Sequence, residues 1–486
     1  MTADFDIFVP RRHSGSYKWD SEAADDVLPL WVADMDFPTA PCIIEALRRR
    51  VGHGIFGYTR VGEEYYNATV DWFARRHGWT INPSHIIYTS GVVPAISAII
   101  KAMTAPGDKV VVLTPVYNCF FSSIRNNGCE PSCSRLVYNP DGYTVDFEDL
   151  ELRCADPAAR LMIVCNPHNP AGRVWTRAEL TRMAEIARRH GLFVISDEIH
   201  CELTFEGHDY TPWGCLSEEF KAMSAICVSP SKAFNIAGLQ IASIVATDAE
   251  VRSRIDRAIN INEVCDVNPF GVVATVAAYT AGEPWLNDLR RYLWGNYVLL
   301  RDYFSKNHPD YPVTPLEGTY LAWVNCSASG MDADSLEQLL LDRSRVHLNS
   351  GSMYGPGGEN FLRVNLATPR HILAEALRRI SPYLPTRSEA PHEGESVLSA
   401  GHVVHHDAGK GASADGFEAQ FFVDVPGSGI VGVAKQAQRF AGCGVVLGSG
   451  LNQPSAELMA SEFGKDGKRI EVDLVGRCLV VHLVFI

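Results

Sequence analysis

The chain has no run approaching the roughly 18 apolar residues of a membrane-spanning helix. Its opening, MTADFDIFVPRRHSG, has no apolar core behind a basic start, so no secretory signal is expected. No block of basic residues occurs, and the formal net charge is −14. That balance argues against nucleic acid as a partner, because phosphate backbones call for clustered Lys and Arg. Nor is there a Cys-x-x-Cys pair: 13 cysteines are scattered, Cys129 and Cys133 being the closest couple. Without a secretory signal they read as reduced thiols, many of them buried, and the expected location is the cytoplasm. No internal repeat is evident. What remains is an ordinary globular composition, 46% hydrophobic and 21% charged over 486 residues, long enough for two or three domains.

The first forty residues mix aromatics with turn signals, ending in the extended LPLWVADMDFPTAP, after which a helix is expected over Ile43–Val51. The glycine-rich GHGIFGYTRVGEEY reads as a loop carrying Tyr58 and Arg60, which on their own also describe plain surface residues. From residue 86 the chain alternates. Strands are expected at IIYT (86–89), KVVVLT (109–114), LMIVC (161–165), FVIS (193–196), AICV (225–228) and IASIVA (241–246). A helix is expected from Val92 to Met103, with Pro94 tolerated in its first turn. Thr176 with Glu179 three residues later predicts a capping box. Fully apolar strands alternating with helices mean an α/β fold whose sheet is covered on both faces. A long helical stretch is expected over 269–308. VTPLEGTYLAWVNC reads as a hairpin or edge strand, GENFLRVNLAT as another strand, and HILAEALRRISPYL as an amphipathic helix. These suggest a smaller α+β domain. After Pro385 a polar Gly/Ser/His-rich stretch reads as a linker; His402, His405 and His406 lie in it without companions at metal-ligand spacing, so no metal is expected. From Phe417 alternating strands return as a small β-rich module.

Chemistry in an open α/β sheet sits beyond the carboxyl ends of the strands. There this chain offers Ser90-Gly91-Val92-Val93, Tyr117, Asn166 to Asn169, Asp197 to His200, and Ser229-Pro230-Ser231-Lys232. Alone, Ser-x-x-Lys also describes a solvated lysine, Gly91 a tight turn, Tyr117 a core aromatic and Asp197 a helix cap. Together they match the edges of a phosphorylated pyridine aldehyde. Lys232 would form a Schiff base, and Asp197 would keep the ring nitrogen protonated, making the ring an electron sink. Tyr117 would stack on the ring, while Asn169 and His200 would hydrogen-bond its hydroxyl. Backbone N–H groups after Gly91, at Val92 and Val93, with Ser229 and Ser231, would take the phosphate.

With SYKWD, LPLWVADMDFPTAP, FGYT, YTSGVVPAI, TPVYNCF, CNPHNPAGRVW, ISDEIHCEL, SPSKAFNIAGLQ and FLRVNLATPR in view, the sequence resembles the fold-type I pyridoxal-phosphate enzymes. Within them it is similar to the aminotransferase-like C–S lyases of the cystathionine β-lyase type, over roughly residues 5 to 385. The resemblance implies pyridoxal 5'-phosphate as cofactor and an aspartate aminotransferase-like fold. An arm and part of the small domain would occupy 1–45, a large cofactor-binding domain 46–290, the small domain 291–385, a linker 386–415 and the appended module 416–486. It implies Lys232, Asp197, Asn169, Tyr117, Gly91, Val92 and Ser229 in the roles just given, and Arg363 as a bidentate ligand of a small amino-acid substrate's α-carboxylate. Tyr58 would reach the phosphate in a neighbouring subunit, which implies a homodimer with shared sites. Many such enzymes carry a phosphate-binding arginine eight residues after the lysine; here that position is Gln240.

The activity implied is β-elimination from cystathionine or a related cysteine thioether, giving a thiol, pyruvate and ammonia. An aminotransferase, or a cofactor-binding regulatory protein, would use the same residues. The C-terminal segments FEAQFFVDVPGSGI, LNQPSAEL and RIEVDLVGRCLVV weakly resemble the end of phenazine-biosynthesis-like isomerases of the diaminopimelate-epimerase fold. IVGVAKQAQ stands where an anion-cradling loop is expected, so the module is expected to be degenerate and non-catalytic.

Overall fold

The computed structural model describes residues 4–22, 24–261 and 267–385 in full, and the backbone strands 418–424, 462–463, 468–475 and 478–485. The expected linker, its histidines and IVGVAKQAQ lie outside the described residues. The chain divides into two compact units, Met1–Glu395 and Ser396–Ile486. In the second, Glu418–Asp424, Cys478–Phe485, Lys468–Val475 and Glu462–Phe463 form, in that spatial order, an antiparallel sheet.

The first unit is built on seven strands: β1 (Ile86–Thr89), β2 (Lys109–Thr114), β3 (Glu130–Arg135), β4 (Ala159–Cys165), β5 (Phe193–Asp197), β6 (Ser224–Val228) and β7 (Ala242–Val245). Their spatial order is β1-β7-β6-β5-β4-β2-β3. Only β7 runs antiparallel to its neighbours, so the other six strands point their carboxyl ends to one edge. Alternate side chains explain the unbroken apolar runs. Val111, Leu113, Met162, Val164, Val194, Ile226 and Val228 enter one buried cluster. Val110, Val112, Leu161, Ile163, Ile195, Ala225 and Cys227 enter another, on the opposite face. The six strands expected for this sheet are present within two residues, and helix Val92–Met103 has the expected ends. The capping box at Thr176 and Glu179 is formed in both directions.

Three elements depart from the expectation. Strand β3, EPSCSR, has no apolar run to betray it; it is an edge strand, where polar residues and Pro131 are tolerated. The segment read as a loop becomes helix Glu63–His77 at its last residues, buried through Tyr65, Trp72 and Phe73. The long helical stretch is two helices, Pro269–Ala281 and Glu283–Asn307. A side chain at Gly282 between them would meet the Ala278 carbonyl and the Phe234 ring at 2.5 Å, so only glycine fits that crossing.

The smaller sheet places Phe361–Asn365 between Leu321–Asn325 and Asn349–Ser350, all antiparallel. Helices Ala333–Ser344 and Arg370–Ile380 contribute Leu336, Leu340, Leu373 and Leu377 to the core. The N-terminal segment joins this part by pairing Leu28–Pro29 with Val346–His347 in parallel. The ten cysteines of the first unit's described residues are free thiols, six of them buried. No helix among the described residues is long and apolar enough to cross a membrane.

A buried ionic knot joins helix Glu63–His77 to the segment after β5. Glu202 accepts from Trp72 Nε1 at 2.6 Å, His77 Nε2 at 2.7 Å and Arg76 Nε at 2.8 Å. Burial pushes the carboxyl up, but His77, Arg76 and Trp72 outweigh it and bring it down to about 2. A depressed carboxylate stabilises the fold fully above its ordinary value, about 4.5, and loses that contribution as pH falls toward about 2. Glu202→Gln is therefore expected to lower unfolding free energy by about 3 kcal/mol near neutral pH. In urea titrations the gap from wild type should close as the pH is lowered through that window.

Candidate active site

The carboxyl edge of the sheet gathers the expected residues. After β1 the chain turns at Gly91, whose backbone (φ 153°, ψ 164°) falls where side chains are disfavoured. The helix behind it begins at Val92, leaving the N–H groups of Val92 and Val93 without partners inside the helix. These are fixed dipoles suited to an anion. After β6, the Ser229 hydroxyl donates to the Ile241 carbonyl at 2.6 Å and lies 2.7 Å from the Ser231 hydroxyl. Ser231 also reaches the Ile241 carbonyl, at 3.3 Å. Both serines are buried and turned toward the protein, so either must rotate to face an anion. Gln240 precedes that carbonyl on an exposed left-handed turn (φ 51°).

Asp197 ends β5 and is buried. Its Oδ1 accepts from the Ile199 N–H at 3.2 Å, and burial pushes its carboxyl up to about 7, against the pull of Lys232. A protonated ring nitrogen would supply the positive partner that this carboxylate lacks. His200 is equally buried. Burial, then the charges of Lys232 and Arg363, hold it neutral, and its Nδ1 has no hydrogen-bond partner among the described residues. That free nitrogen suits a ring hydroxyl.

Lys232 follows β6 and is only partly covered. Its Nζ donates to the Ala33 carbonyl at 2.6 Å, and the Tyr320 hydroxyl donates to the same oxygen at 2.8 Å. Burial, then the Arg363 charge, bring Lys232 down to about 8; Asp34 and Asp197 oppose them. The loop after β4 is pinned by Trp175, whose N–H donates to the Asn166 side chain at 3.1 Å. This presents Asn169, whose Oδ1 accepts from Arg363 Nη1 at 3.1 Å. Arg363 is 3% exposed and donates through Nη2 to the Trp31 carbonyl at 2.8 Å. Its guanidinium lies 4.9 Å over the Tyr354 ring, yet its Nε has no partner among the described residues. A substrate carboxylate would satisfy it. Tyr117 is half-buried, and burial and the neighbouring Cys119 raise its phenol.

These residues feel one another electrostatically: Lys232, Asp197, Arg363, His200 and Tyr117 form one cluster. Tyr58 stands apart. It is 97% exposed on the loop with Ile55 and Phe56, themselves 67% and 57% exposed. The residues that motif reading overlooked lie in LPLWVADMDFPTAP and its partners: the carbonyls of Trp31 and Ala33, Tyr320, Asn235, Asn349 and Asn365. Their signal was present as charge inside an apolar motif. Lys18 and Asp36, both fully buried, pair at 2.9 Å, and Asp36 also accepts from Trp19 Nε1 at 2.7 Å and Arg11 at 2.8 Å. Burial raises Asp36, but Lys18, Trp19 and Arg11 prevail and lower it.

With this geometry in hand, comparison with known proteins is specific. Residues 25–380 match the family model for aminotransferase class I and II. Cystathionine beta-lyase PatB of Bacillus subtilis (strain 168) is 40% identical over 385 residues, covering 78% of this chain and 100% of that protein. A crystal structure of a PLP-bound putative aminotransferase from Clostridium difficile 630 is 40% identical with a TM-score of 0.76, covering 78% of this chain and 99% of the other. Cystalysin from Treponema denticola, which contains a pyridoxal 5'-phosphate cofactor, is 33% identical with a TM-score of 0.77, covering 79% and 99%. The match runs the full length of these proteins, and the chain belongs to the aminotransferase class I and II family.

Proposed function

We propose that this chain is a pyridoxal-phosphate-dependent carbon–sulfur β-lyase that cleaves cystathionine or a related cysteine thioether to a thiol, pyruvate and ammonia. The observation that carries the reading is the convergence of Lys232, Asp197 and Arg363 in one partly buried cup. The chain bearing that cup matches a cystathionine beta-lyase over the whole of that protein's length. Catalysis is assigned to residues up to 385, in the cytoplasm, with none in the C-terminal module.

The residues fit the cofactor. Asp197 would face its ring nitrogen, Asn169 and His200 its hydroxyl, Tyr117 its ring, and Gly91, Val92, Val93, Ser229 and Ser231 its phosphate. When bound, the cofactor supplies an electron sink for the charge left on the substrate's α-carbon. Arg363 holds the α-carboxylate through its free Nε and its fork, which fixes the α-hydrogen relative to Lys232. Because burial brings Lys232 to about 8, an appreciable share of the amine is neutral near pH 7 and accepts the α-proton. The Cβ–S bond then breaks, its electron pair leaving with the thiolate. The released aminoacrylate takes up water to give pyruvate and ammonia. The same site would serve transamination; pyruvate formed without a keto-acid acceptor distinguishes elimination.

Tyr58 and its exposed apolar neighbours support a homodimer in which each Tyr58 completes the partner's phosphate site.

Lys232→Ala is expected to cut pyruvate release from cystathionine at least about a hundredfold and to abolish the visible absorbance of the lysine-linked cofactor; retained turnover would sink the proposal. Arg363→Lys should raise KM roughly ten- to hundredfold, with a smaller loss in kcat, in steady-state assays across cystathionine concentrations. For the shared site, Lys232→Ala and Tyr58→Phe subunits are mixed at limiting cofactor. One complete site forms per hybrid dimer, so activity should exceed that of either variant alone. No gain above their average would contradict the arrangement.

A further inference from the structure

The acceptor of the Lys232 amine is a backbone carbonyl, and a backbone carbonyl is placed by whatever holds its neighbours. In the segment Trp31–Phe37 nearly every peptide is gripped by a side chain from elsewhere. Asn365 Nδ2 donates to the carbonyls of Val32, at 2.5 Å, and Asp34, at 2.7 Å, one on each side of Ala33. Its Oδ1 is occupied as well, accepting from the Ala367 N–H at 2.8 Å. Asn235 takes the next stretch: its Oδ1 accepts from the Met35 N–H at 3.0 Å, and its Nδ2 donates to the Met35 and Phe37 carbonyls, both at 2.9 Å. Asn349 donates to the Trp31 carbonyl at 2.9 Å, beside the bond from Arg363.

The two grips that each hold two carbonyls come from the two halves of the site. Asn365 lies two residues beyond Arg363 on one strand, hence on the same strand face. Asn235 lies three residues beyond Lys232, in a left-handed conformation (φ 52°) that asparagine tolerates better than most side chains. A carboxamide is the only small side chain that offers two N–H groups and one acceptor in a plane. Aspartate would turn acceptors toward carbonyls, and alanine would take the donors from the Asp34 and Phe37 carbonyls, those of Val32 and Met35 keeping the Asp34 N–H and Arg11. Asn365 is fully buried, so water offers no substitute.

We infer that Asn365 and Asn235 are positioning residues for the reaction: they fix the Ala33 peptide so that its carbonyl receives the Lys232 amine and links that amine to the carboxylate-binding Arg363. The inference rests on the lysine and arginine roles proposed above, and adds the device that holds them in register. Arg363 and Lys232 bond to carbonyls only two residues apart on one clamped strand of backbone. A shift of that segment moves both.

The test reads Lys232 in cofactor-free protein, where it is independent of the substrate and of the reaction catalysed. Acylation of Lys232 by an acid anhydride is followed against pH by peptide mass spectrometry in wild type, Asn365→Ser and Asn235→Ser. A carbonyl acceptor favours the ammonium form, so displacing it should lower the amine's titration point by about half a unit and raise its acylation rate near pH 7 about threefold. In the cofactor-loaded enzyme, KM for cystathionine should rise and kcat fall together. Leu340→Ala, a core truncation in the smaller sheet's packing, serves as the control for lost stability alone. If both asparagine variants lower the melting temperature like Leu340→Ala while leaving the Lys232 titration and kcat/KM at wild-type values, the positioning role is overturned. Should one variant fail to fold, the other decides by the same measure.

Discussion

The site depends on one unusual constraint: a stretch of repeatedly bent backbone, Trp31–Phe37, with its carbonyls directed into the protein rather than into a sheet ladder or water. Such groups must find donors. Here they find asparagines, Arg363, Tyr320 and Lys232. The segment is thereby sewn to the turn after β6 through Asn235 and to the small sheet through Asn349, Arg363 and Asn365. The charges around it serve the same purpose. Asp36 is encircled by Lys18, Arg11 and Trp19, and Arg11 also holds Asp34 at 2.6 Å, so the acidic residues of the motif are anchored before they can swing toward Lys232.

This explains what was legible in the sequence and what was not. The strands β1, β2 and β4 to β7 were plain because both faces are buried, which leaves long Val/Ile-rich runs. Edge strand β3 carries no such run and was invisible. Lys232, Asp197, Asn169 and Gly91 could be picked out because each stands at a strand end, where an abrupt change from apolar to functional residues marks the carboxyl edge. The clamp could not, since its chemistry resides in backbone carbonyls that any residue possesses. The asparagines that satisfy them are scattered from 235 to 365, and only the fold brings them to one place. The serines taught a different lesson: their position was foreseeable, but not that both hydroxyls turn toward the Ile241 carbonyl.

The electrostatics of the cup are those of a site built for a charged guest. Burial alone works against the charged forms of Asp197, Lys232 and His200. It pushes Asp197 up to about 7, draws Lys232 down to about 8 and keeps His200 neutral. The partners within the protein offset this only in part, and the unpartnered atoms, His200 Nδ1 and Arg363 Nε, sit where a ring hydroxyl and a carboxylate would arrive. A pyridinium beside Asp197 changes the balance most, because it supplies the positive charge that a buried carboxylate requires.

The phosphate end follows a different logic. Gln240 stands where the family resemblance implies an arginine in many enzymes, and the groups proposed to line the phosphate site are neutral: amides at Val92 and Val93, and hydroxyls at Ser229 and Ser231. Neutral donors hold an anion by orientation rather than by net charge, so their worth depends on rigidity. Gly91 provides it on one side, by allowing the helix to begin at once after the strand. On the other side the serines are held by a carbonyl that must be given up when they turn outward. Anion binding by the serines would exchange one hydrogen bond for another, so the strength of the proposed site would rest on the amides and, in the proposed dimer, on the partner's Tyr58.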